Sequence, residues 1–291
     1  MSATWRRWAP CPEHVTRLWQ FLVLTLSAIA NLVLVIAVAV LSAHLVRERR
    51  TRKRTNFTGN WPVQAVLPEE IDPVFRPDRF GPGRDTEVRF LGRGPYVVDG
   101  GTSDAEAWIL AVLARRASCL FEFGTCTGKT AYLWARNSPP EARIVTITLA
   151  PQDRAAQNAG ATDDPRDVEY AVRESGYSAF VYTDTDVAHK VEQLFGDSKT
   201  FDTTPWAGRC DVVFVDGSHA YSYVVSDSVK ALELVRPGGL VLWHDYAGPG
   251  HSPGVYRALN ELATRLPLVR IKGTALAAYR KPDERPVNFR P

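Results

Sequence analysis

The sequence has few cysteines and little net charge, and both shortages narrow the kinds of protein that it can encode. Its four cysteines, Cys11, Cys119, Cys126 and Cys210, are scattered without CxxC spacing, so neither a zinc site nor a disulfide framework is indicated. The formal net charge of +3 is too small to argue for a nucleic-acid partner. The length of 291 residues suits one domain of good size plus an appendage.

One stretch near the start lacks charge altogether. Leu18 to Ala43 contains no charged residue and consists mainly of Leu, Val, Ile and Ala, which is enough to cross a bilayer as a helix. It is too long for the core of a secretory signal, and no obvious small-residue cleavage site follows it. Six basic residues lie within 47–54, against three before the stretch. The positive-inside rule therefore predicts a single-pass membrane protein whose remaining chain is cytoplasmic.

The composition then changes along the chain, and five segments are predicted. They are a short tail (1–17), a transmembrane anchor (18–46), a basic flank with a linker and a partly ordered lid (47–101), a main domain (102–280) and a second tail (281–291). The linker is rich in Pro, Gly, Arg and Asp and has no sustained periodicity. Nothing in the sequence predicts an oligomeric state.

Strand and helix patterns alternate through the main domain. A capping box at Ser103–Glu106 precedes the predicted helix 107–117. The predicted strands are 142–149, 179–182, which is short, 211–215 and 240–243. The predicted helices are 131–136, 186–195, 222–235 and 254–265. Residues 268–271 and 275–279 are predicted to form a hairpin. This alternation predicts an α/β fold with a doubly wound, mainly parallel sheet, whose ligands lie beyond the carboxyl ends of the strands.

The stretch from Cys119 to Thr130 reads CLFEFGTCTGKT, which is a strand, a Gly-rich turn and the start of a helix. Such a turn lets backbone N–H groups approach a ligand closely, and a carboxylate at the strand end accepts hydrogen bonds from ribose hydroxyls or an amino group. A nucleotide-like cofactor is therefore expected. The ending Gly128-Lys129-Thr130 also matches a phosphate-binding P-loop, but Gly124 leaves that loop one residue short.

Two further strands end in charged residues that should converge on the same rim. One ends at Asp216 with His219 three residues later, and the other ends at His244 and Asp245. Asp216, His244 and Asp245 are candidate ligands for a hard divalent cation such as magnesium. His219 is a candidate general base toward a hydroxyl, an arrangement that suits methyl transfer to oxygen.

These motifs together resemble a known enzyme family. Glu122, Gly124 and Gly128 match the acidic-x-Gly-x-x-x-Gly turn of class I S-adenosylmethionine (SAM) methyltransferases. The order Gly-Asp-Ser (196–198), Asp-Gly-Ser-His-Ala-Tyr (216–221), Arg-Pro-Gly-Gly (236–239) and Trp-His-Asp-Tyr (243–246) is similar to the class I family that groups with sugar and macrolide O-methyltransferases and cephalosporin-biosynthesis methyltransferases. The likeness covers about residues 102 to 280 and implies a Rossmann-like methyltransferase sheet.

The resemblance also implies a role for individual residues. The positions implied to contact SAM are Glu122, Gly124, Thr125, Gly128, Thr148, Asp197, Ser198 and Asp216, with Asp197 and Ser198 near the adenine. In metal-dependent relatives, the positions of Asp216, His244 and Asp245 bind magnesium, and a base stands at the position of His219. Thr148 replaces the usual acidic residue at the end of the second strand, and a hydroxyl grips ribose more weakly than a carboxylate. His244 replaces a carboxylate seen in some relatives.

The leading hypothesis is a membrane-anchored SAM-dependent O-methyltransferase that faces the cytoplasm. Its acceptor would be a hydroxyl of a sugar, glycolipid or secondary metabolite, either a small molecule or a lipid-linked one. Two alternatives stay open. Thr148 and Cys126 favour a catalytically inactive SAM-fold scaffold at the membrane. The P-loop-like ending of the Gly-rich turn and the strand ending at Asp216 favour a nucleotide hydrolase.

Overall fold

The computed structural model describes residues 12–55, 61–76, 79, 81–88, 101–156 and 158–283. It contains two compact units, Met1–Lys53 and Arg54–Pro291. The helix of the first unit, α1 (Pro12–Thr55), includes the segment Trp19–Ala43, whose 25 residues have a mean hydropathy of 2.7. This segment is long and apolar enough to cross a membrane, and its large apolar side chains are exposed.

The second unit is built on an eight-stranded sheet. The strands are β1 (Gln64–Val66), β2 (Cys119–Phe123), β3 (Arg143–Thr148), β4 (Val191–Phe195), β5 (Cys210–Val215), β6 (Val235–Trp243), β7 (Val269–Ile271) and β8 (Ala277–Arg280). The helices are α2 (Pro68–Ile71), α3 (Asp104–Ala114), α4 (Lys129–Asn137), α5 (Pro165–Glu174), α6 (Tyr221–Leu234) and α7 (Pro253–Ala263). Short 3₁₀ turns lie at Pro73–Phe75, Pro151–Ala156, Ala188–Lys190 and Thr204–Trp206.

The strand order is β1-β7-β8-β6-β5-β2-β3-β4, and every neighbouring pair is parallel except the two that involve β8. The chain first builds outward from β2 to β3 and β4, then returns to place β5 on the other side of β2. The direction of winding therefore reverses between β2 and β5, which is where open α/β sheets bind ligands. The predicted doubly wound, Rossmann-like sheet is confirmed.

Helices cover both faces of this sheet. Apolar residues of α3 and α4, such as Leu110 and Trp134, are buried in one core cluster with Leu120 of β2. Residues of α6 and α7, such as Leu234 and Leu259, are buried in the second cluster on the opposite face. Strands buried on both faces read as continuous apolar runs, as in β5, and this explains why sequence pattern locates them well.

Helix α3 begins where the capping box predicts. The Ser103 hydroxyl accepts a hydrogen bond from the Glu106 amide at 3.3 Å, and the Glu106 carboxylate accepts one from the Ser103 amide at 2.8 Å. Both residues thereby satisfy amides that the first turn of a helix leaves unpaired. The predicted capping box is confirmed, but the helix runs from Asp104 to Ala114 rather than over 107–117, because the capping residue Ser103 directly precedes its first turn.

Two elements between β3 and β4 differ from the sequence prediction. The predicted helix 186–195 is a 3₁₀ turn followed by strand β4, which pairs in parallel with β3 from Val191 to Phe195. The predicted strand 179–182 is a turn, where the Val181 amide donates to the Thr127 carbonyl at 2.9 Å. In both places a long-range partner, rather than local propensity, decides the conformation.

The segment predicted as a linker and lid contributes part of the sheet. Strand β1 pairs with β7 at the edge, and Val63, Val66 and Phe75 are buried. The folded unit therefore begins before the predicted boundary at residue 102. Residues 89–100, which the lid prediction includes, lie outside the described residues, as do most of both predicted tails.

Candidate functional site

The carboxyl ends of β2, β3 and β5 are held together by backbone hydrogen bonds. The Gly124 amide donates to the Ile147 carbonyl at 2.9 Å, and the Asp216 amide donates to the Phe123 carbonyl at 2.9 Å. The His244 amide donates to the carbonyl at the end of β5 at 3.0 Å. The predicted convergence of these strand ends on one rim is confirmed.

Two glycines of the turn after β2 have conformations that exclude a side chain. Gly124 has φ of 98°, and a Cβ there would lie 2.0 Å from the Asp216 carbonyl oxygen. Gly128 has φ of 80° and caps α4, and a Cβ there would lie 2.6 Å from the Tyr182 ring. Both glycines are therefore required by left-handed backbone and by close packing. The turn therefore packs closely against the end of β5 and against the Tyr182 ring.

Beside this turn lies a cleft that is open to solvent. Of the residues predicted to contact a cofactor, five line it: Gly124, Thr148, Asp197, Ser198 and Asp216. Phe123, Cys126, Ile147, Leu149, Glu174, Tyr223 and Asp227 also line it. The cleft therefore combines apolar walls with several carboxyl groups.

The other three predicted cofactor contacts, Glu122, Thr125 and Gly128, are not among the lining residues. Glu122 is 1% exposed and accepts a hydrogen bond from the Thr146 hydroxyl at 2.6 Å. The Thr125 and Thr146 hydroxyls lie 2.8 Å apart. Burial, together with the nearby charge of Asp216, outweighs the hydrogen bonds and raises the pKa of Glu122 to about 8. Glu122 and Thr125 thus form a buried polar cluster with Thr146.

One end of the cleft is formed by Asp197, Tyr223 and Asp227. The Asp197 carboxylate accepts hydrogen bonds from the Tyr223 hydroxyl at 3.0 Å and from the side-chain amide of Asn158 at 2.9 Å. Asp227 is 1% exposed, and its Oδ1 has no hydrogen-bond partner among the described residues. Burial raises the pKa of Asp227 to about 7, because its effect is larger than that of the hydrogen bond with Ser198, which lowers the pKa. An unsatisfied buried acceptor facing a cleft favours a ligand that donates a hydrogen bond.

The predicted base, His219, is paired with a carboxylate. Its Nε2 lies 2.8 Å from Asp245 Oδ2, and its ring stacks on Tyr170 of α5 with the centroids 4.9 Å apart. Burial lowers the pKa of His219, but Asp245 outweighs burial and raises it overall. Because Nε2–H donates to Asp245, Nδ1 is the nitrogen that carries the lone pair of the neutral ring.

His244 lies at the centre of three carboxylates. Its Nδ1 lies 2.9 Å from Asp216 Oδ1 and 3.1 Å from Asp245 Oδ2, and its Nε2 lies 3.5 Å from Glu106 Oε2. Burial lowers the pKa of His244, but Asp216 and Asp245 outweigh it and raise the pKa well above the ordinary value. Burial would raise the pKa of Glu106, yet His244 and two backbone amides lower it to about 2.

The predicted magnesium ligands lie together at the rim. Asp216, His244 and Asp245 each offer one ligand atom within 4.8 Å of the others. His244 Nδ1 is at hydrogen-bonding distance from both carboxylates. Magnesium is commonly bound through one or two carboxylates and several waters, and this set supplies two carboxylates. The magnesium site therefore stays a prediction.

Sequence reasoning missed several residues that face this site. Tyr170 and Glu174 lie on α5, in a stretch between residues 149 and 179 for which the sequence predicts no element and shows no motif. Glu106 was visible only as part of a capping box, and nothing in that motif indicated contact with His244. Asp227 follows the predicted base by eight positions on an ordinary helix pattern. Long-range packing brings all four to the rim.

Comparison with known proteins agrees with this geometry. Residues 121–246 match the model of a family described as a methyltransferase domain, which spans the Gly-rich turn, the Asp197 loop and the rim residues from Asp216 to Asp245. A comparison with curated proteins finds no match.

Several solved structures are similar to part of the chain. TomG of Streptomyces achromogenes, an O-methyltransferase involved in tomaymycin synthesis in complex with SAM, is 27% identical, covering 64% of this chain and 83% of that one with a TM-score of 0.44. An O-methyltransferase from Bacillus cereus in complex with SAH is 18% identical, covering 62% and 82% with a TM-score of 0.41. The Podospora anserina methyltransferase PaMTH1, bound to SAH, is 18% identical, covering 62% and 80% with a TM-score of 0.43.

The family match begins in β2, where the Gly-rich turn starts, and ends one residue after Asp245. It thus contains all the strands whose ends form the rim. Residues 121–246 are therefore similar to a methyltransferase domain, in agreement with the resemblance of the motifs to class I SAM-dependent methyltransferases.

Proposed function

We propose that this protein is a membrane-anchored O-methyltransferase that transfers the methyl group of SAM to a hydroxyl of a small-molecule or lipid-linked acceptor. The observation that carries the proposal is the pairing of His219 with Asp245 at 2.8 Å beside the cleft. A histidine oriented by a buried carboxylate is suited to remove a proton from a hydroxyl.

The cleft has features that suit SAM. Gly124 lets the turn after β2 pack directly against the end of β5, since a Cβ there would lie 2.0 Å from the Asp216 carbonyl oxygen, and both of these residues line the cleft. The unpartnered Asp227 Oδ1 offers an acceptor to a ligand amino group, and Asp197 and Ser198 lie at the same end of the cleft. These residues, with Asp216, would hold the cofactor, and Thr148 would contact its ribose through a hydroxyl.

SAM supplies an electrophilic methyl group bonded to a sulfonium sulfur. His219 Nδ1 takes the proton of the acceptor hydroxyl, and that oxygen forms a bond to the methyl carbon while the carbon–sulfur bond breaks. Asp245 holds the ring in the tautomer with the lone pair on Nδ1 and stabilises the imidazolium that forms. The products are the methyl ether, SAH and one proton, which His219 later releases to solvent.

The N-terminal helix supports an anchored enzyme. Trp19–Ala43 spans roughly 37 Å as a helix of 25 residues, and a bilayer core is about 30 Å thick. The exposed apolar side chains along it favour lipid over water. With six basic residues within 47–54, we place the methyltransferase domain in the cytoplasm. Retention of the full-length chain in the membrane pellet after alkaline carbonate extraction tests the anchor, and release into the supernatant would contradict it.

The cofactor and the base are tested with full-length protein in octyl glucoside micelles. Calorimetric titration with SAH should give micromolar binding to the wild type and to His219→Ala, because His219 serves the acceptor rather than the cofactor. Radiolabelled methyl transfer from SAM should then be measured with octyl glucoside, catechol and a polar lipid extract as acceptors.

Transfer to any of these acceptors by the wild type, and its loss in His219→Ala, would support the proposed role of His219. Equal transfer by both proteins would contradict it. Binding of SAH without transfer to any acceptor would favour the scaffold alternative. No binding of SAH by the folded wild type would contradict the proposed function as a whole.

A further inference from the structure

We propose that Cys119 and Cys210 are a site of reversible oxidation, at which a hydroperoxide converts the two thiols into a disulfide. Each is the first residue of its strand, β2 or β5, so the site lies at the opposite end of these strands from the cleft. It is therefore independent of the proposed methyl transfer. No spacing motif indicates this pair, because the residues are 91 positions apart in the chain and only the sheet brings them together.

The two sulfur atoms are close enough to bond after a small movement. Cys119 Sγ lies 3.5 Å from Cys210 Sγ, whereas a disulfide bond is about 2 Å long. β2 and β5 are parallel neighbours in which Leu120 pairs with Val212, so Cys119 and Cys210 are offset by one position. With strands about 4.8 Å apart and a rise of about 3.3 Å per residue, the two Cα atoms are roughly 6 Å apart. Disulfides commonly join residues at this separation.

Surrounding contacts hold the two strand starts beside each other. The Asp211 carboxylate accepts hydrogen bonds from the Ser118 amide at 2.7 Å and from the Cys119 amide at 3.0 Å, which ties β5 to β2. Arg236 donates a hydrogen bond to the same carboxylate at 2.6 Å. Because the backbones are already at a suitable separation, the disulfide can form by rotation of the two side chains with little movement of the sheet.

The two thiols differ in their access to an oxidant. Cys119 is partly exposed, whereas Cys210 is fully buried. A peroxide therefore reaches Cys119 first. The hydrogen bond with Cys210 lowers the pKa of Cys119, although burial and the charge of Asp211 oppose this effect. A lowered pKa favours the thiolate, which is the form that reacts with peroxides.

The oxidation takes place in two steps, written here for hydrogen peroxide. The Cys119 thiolate attacks one peroxide oxygen, so that a sulfur–oxygen bond forms, the oxygen–oxygen bond breaks and hydroxide leaves. The Cys210 sulfur then attacks the sulfenic sulfur of Cys119, a sulfur–sulfur bond forms, and the sulfenic oxygen leaves as water with the Cys210 proton. The two cysteines lose two electrons, and the peroxide gains them.

The disulfide protects Cys119 from irreversible damage. A sulfenic acid that finds no second thiol is oxidised further to the sulfinic acid, which thiols do not reduce. A disulfide is instead reopened by exchange with a small thiol, and disulfides in reducing compartments are typically transient for this reason. Cys210 therefore has the role of a resolving cysteine for Cys119.

Oxidation of the full-length protein in detergent micelles tests the proposal. Wild type and the variant Cys11→Ser/Cys126→Ser, which retains only Cys119 and Cys210, are treated with a small excess of hydrogen peroxide. In the variant, thiols counted in denaturant should fall from two to none and return to two after dithiothreitol. Mass spectrometry of tryptic peptides should show 117–129 linked to 210–230 in both oxidised proteins. Because 117–129 also contains Cys126, the variant assigns the link to Cys119.

Two further substitutions in this variant separate the roles of the two cysteines. With Cys210→Ser added, Cys119 should form a sulfenic acid that dimedone traps, and longer exposure to peroxide should give a product that dithiothreitol no longer reduces. With Cys119→Ser added, the buried Cys210 should keep its thiol. Thermal unfolding before oxidation establishes that each variant is folded.

Retention of both thiols in the folded protein, under peroxide that oxidises free cysteine, would overturn the proposal. Loss of the thiols without the linked peptides, or a link between two separate molecules, would overturn it as well. SAH binding is measured on the same samples and is independent of these results. A protein that forms the disulfide but binds no SAH would contradict the proposed function alone.

Discussion

Replacing Glu122 with Gln tests the electrostatics beneath the Gly-rich turn. Glu122 is 1% exposed, and burial raises its pKa from 4.5 to about 8. Between these pH values the folded protein holds a proton that the unfolded chain has lost. The stability that this proton contributes is present in full below pH 4.5 and is lost as the pH rises through 8. The difference between the two pKa values corresponds to a change of about 5 kcal/mol in the free energy of unfolding, at roughly 1.4 kcal/mol for each pH unit.

Glu122→Gln removes this dependence, because a glutamine is neutral at every pH and still accepts the hydrogen bond from Thr146. We expect the wild type and the variant to have nearly equal free energies of unfolding at pH 5. At pH 8.5 the variant should be more stable by roughly 4 kcal/mol. Urea unfolding of the full-length protein in micelles, followed by tryptophan fluorescence, measures both values.

Glu192→Gln is the matched control on the same sheet. Glu192 is half-buried and pairs with Arg143 at the surface, where such pairs contribute about 1 kcal/mol or less. This variant should differ little from the wild type at either pH. If the stability difference between Glu122→Gln and the wild type were the same at pH 5 and pH 8.5, Glu122 would titrate alike in the folded and unfolded chain, and the reasoning would be refuted.

Three further substitutions test the rim and the opposite end of the sheet. Gly124→Ala places a Cβ 2.0 Å from the Asp216 carbonyl oxygen, so SAH affinity measured by calorimetry should fall by ~10-fold or more; unchanged affinity would refute the role of the turn. Asp245→Asn removes the group that raises the pKa of His219. In a profile of the methyl-transfer rate against pH, the rise on the acid side should therefore move to lower pH, and the maximal rate should fall ~100-fold. An acid-side rise that does not move would belong to a group other than His219. Asp211→Ala removes three hydrogen bonds at the start of β2. The free energy of unfolding measured with urea should therefore fall by about 2 kcal/mol, while SAH affinity is retained. A loss of SAH affinity without a loss of stability would contradict a purely structural role.

The sequence predicts most of the sheet because its central strands are buried on both faces. β5 and the end of β6 read as continuous apolar runs, and their ends carry the charged residues that converge on the rim. Turn and cap signals were equally informative, as Gly124 and the capping box at Ser103 indicate. These features depend only on local conformation and burial, which sequence pattern records.

The region between β3 and β4 could not be predicted in the same way. Val191–Phe195 contains no alternation that distinguishes a strand from a helix, and it becomes a strand because β3 offers it a row of unpaired backbone groups. Helix α5 is polar along most of its length, and only Asp167 of it is buried. Its contact with His219 through Tyr170 depends on how the long connection returns to the rim, which no local pattern encodes.

The geometry of residues 244 and 245 explains how one strand end supplies both an imidazole ring and a carboxylate to the site. Neighbouring residues in an extended strand point to opposite faces. Asp245 instead has φ of 56°, a left-handed conformation that is uncommon for residues other than glycine, although Asp tolerates it better than most. This departure from the strand turns the Asp245 carboxylate to the same side as the His244 ring, where both meet at 3.1 Å. The strain, on the order of 1 kcal/mol, is compensated by the contacts of Asp245 with His219 and His244. The adjacent His244 and Asp245 side chains therefore meet here only because the strand ends before them, at Trp243.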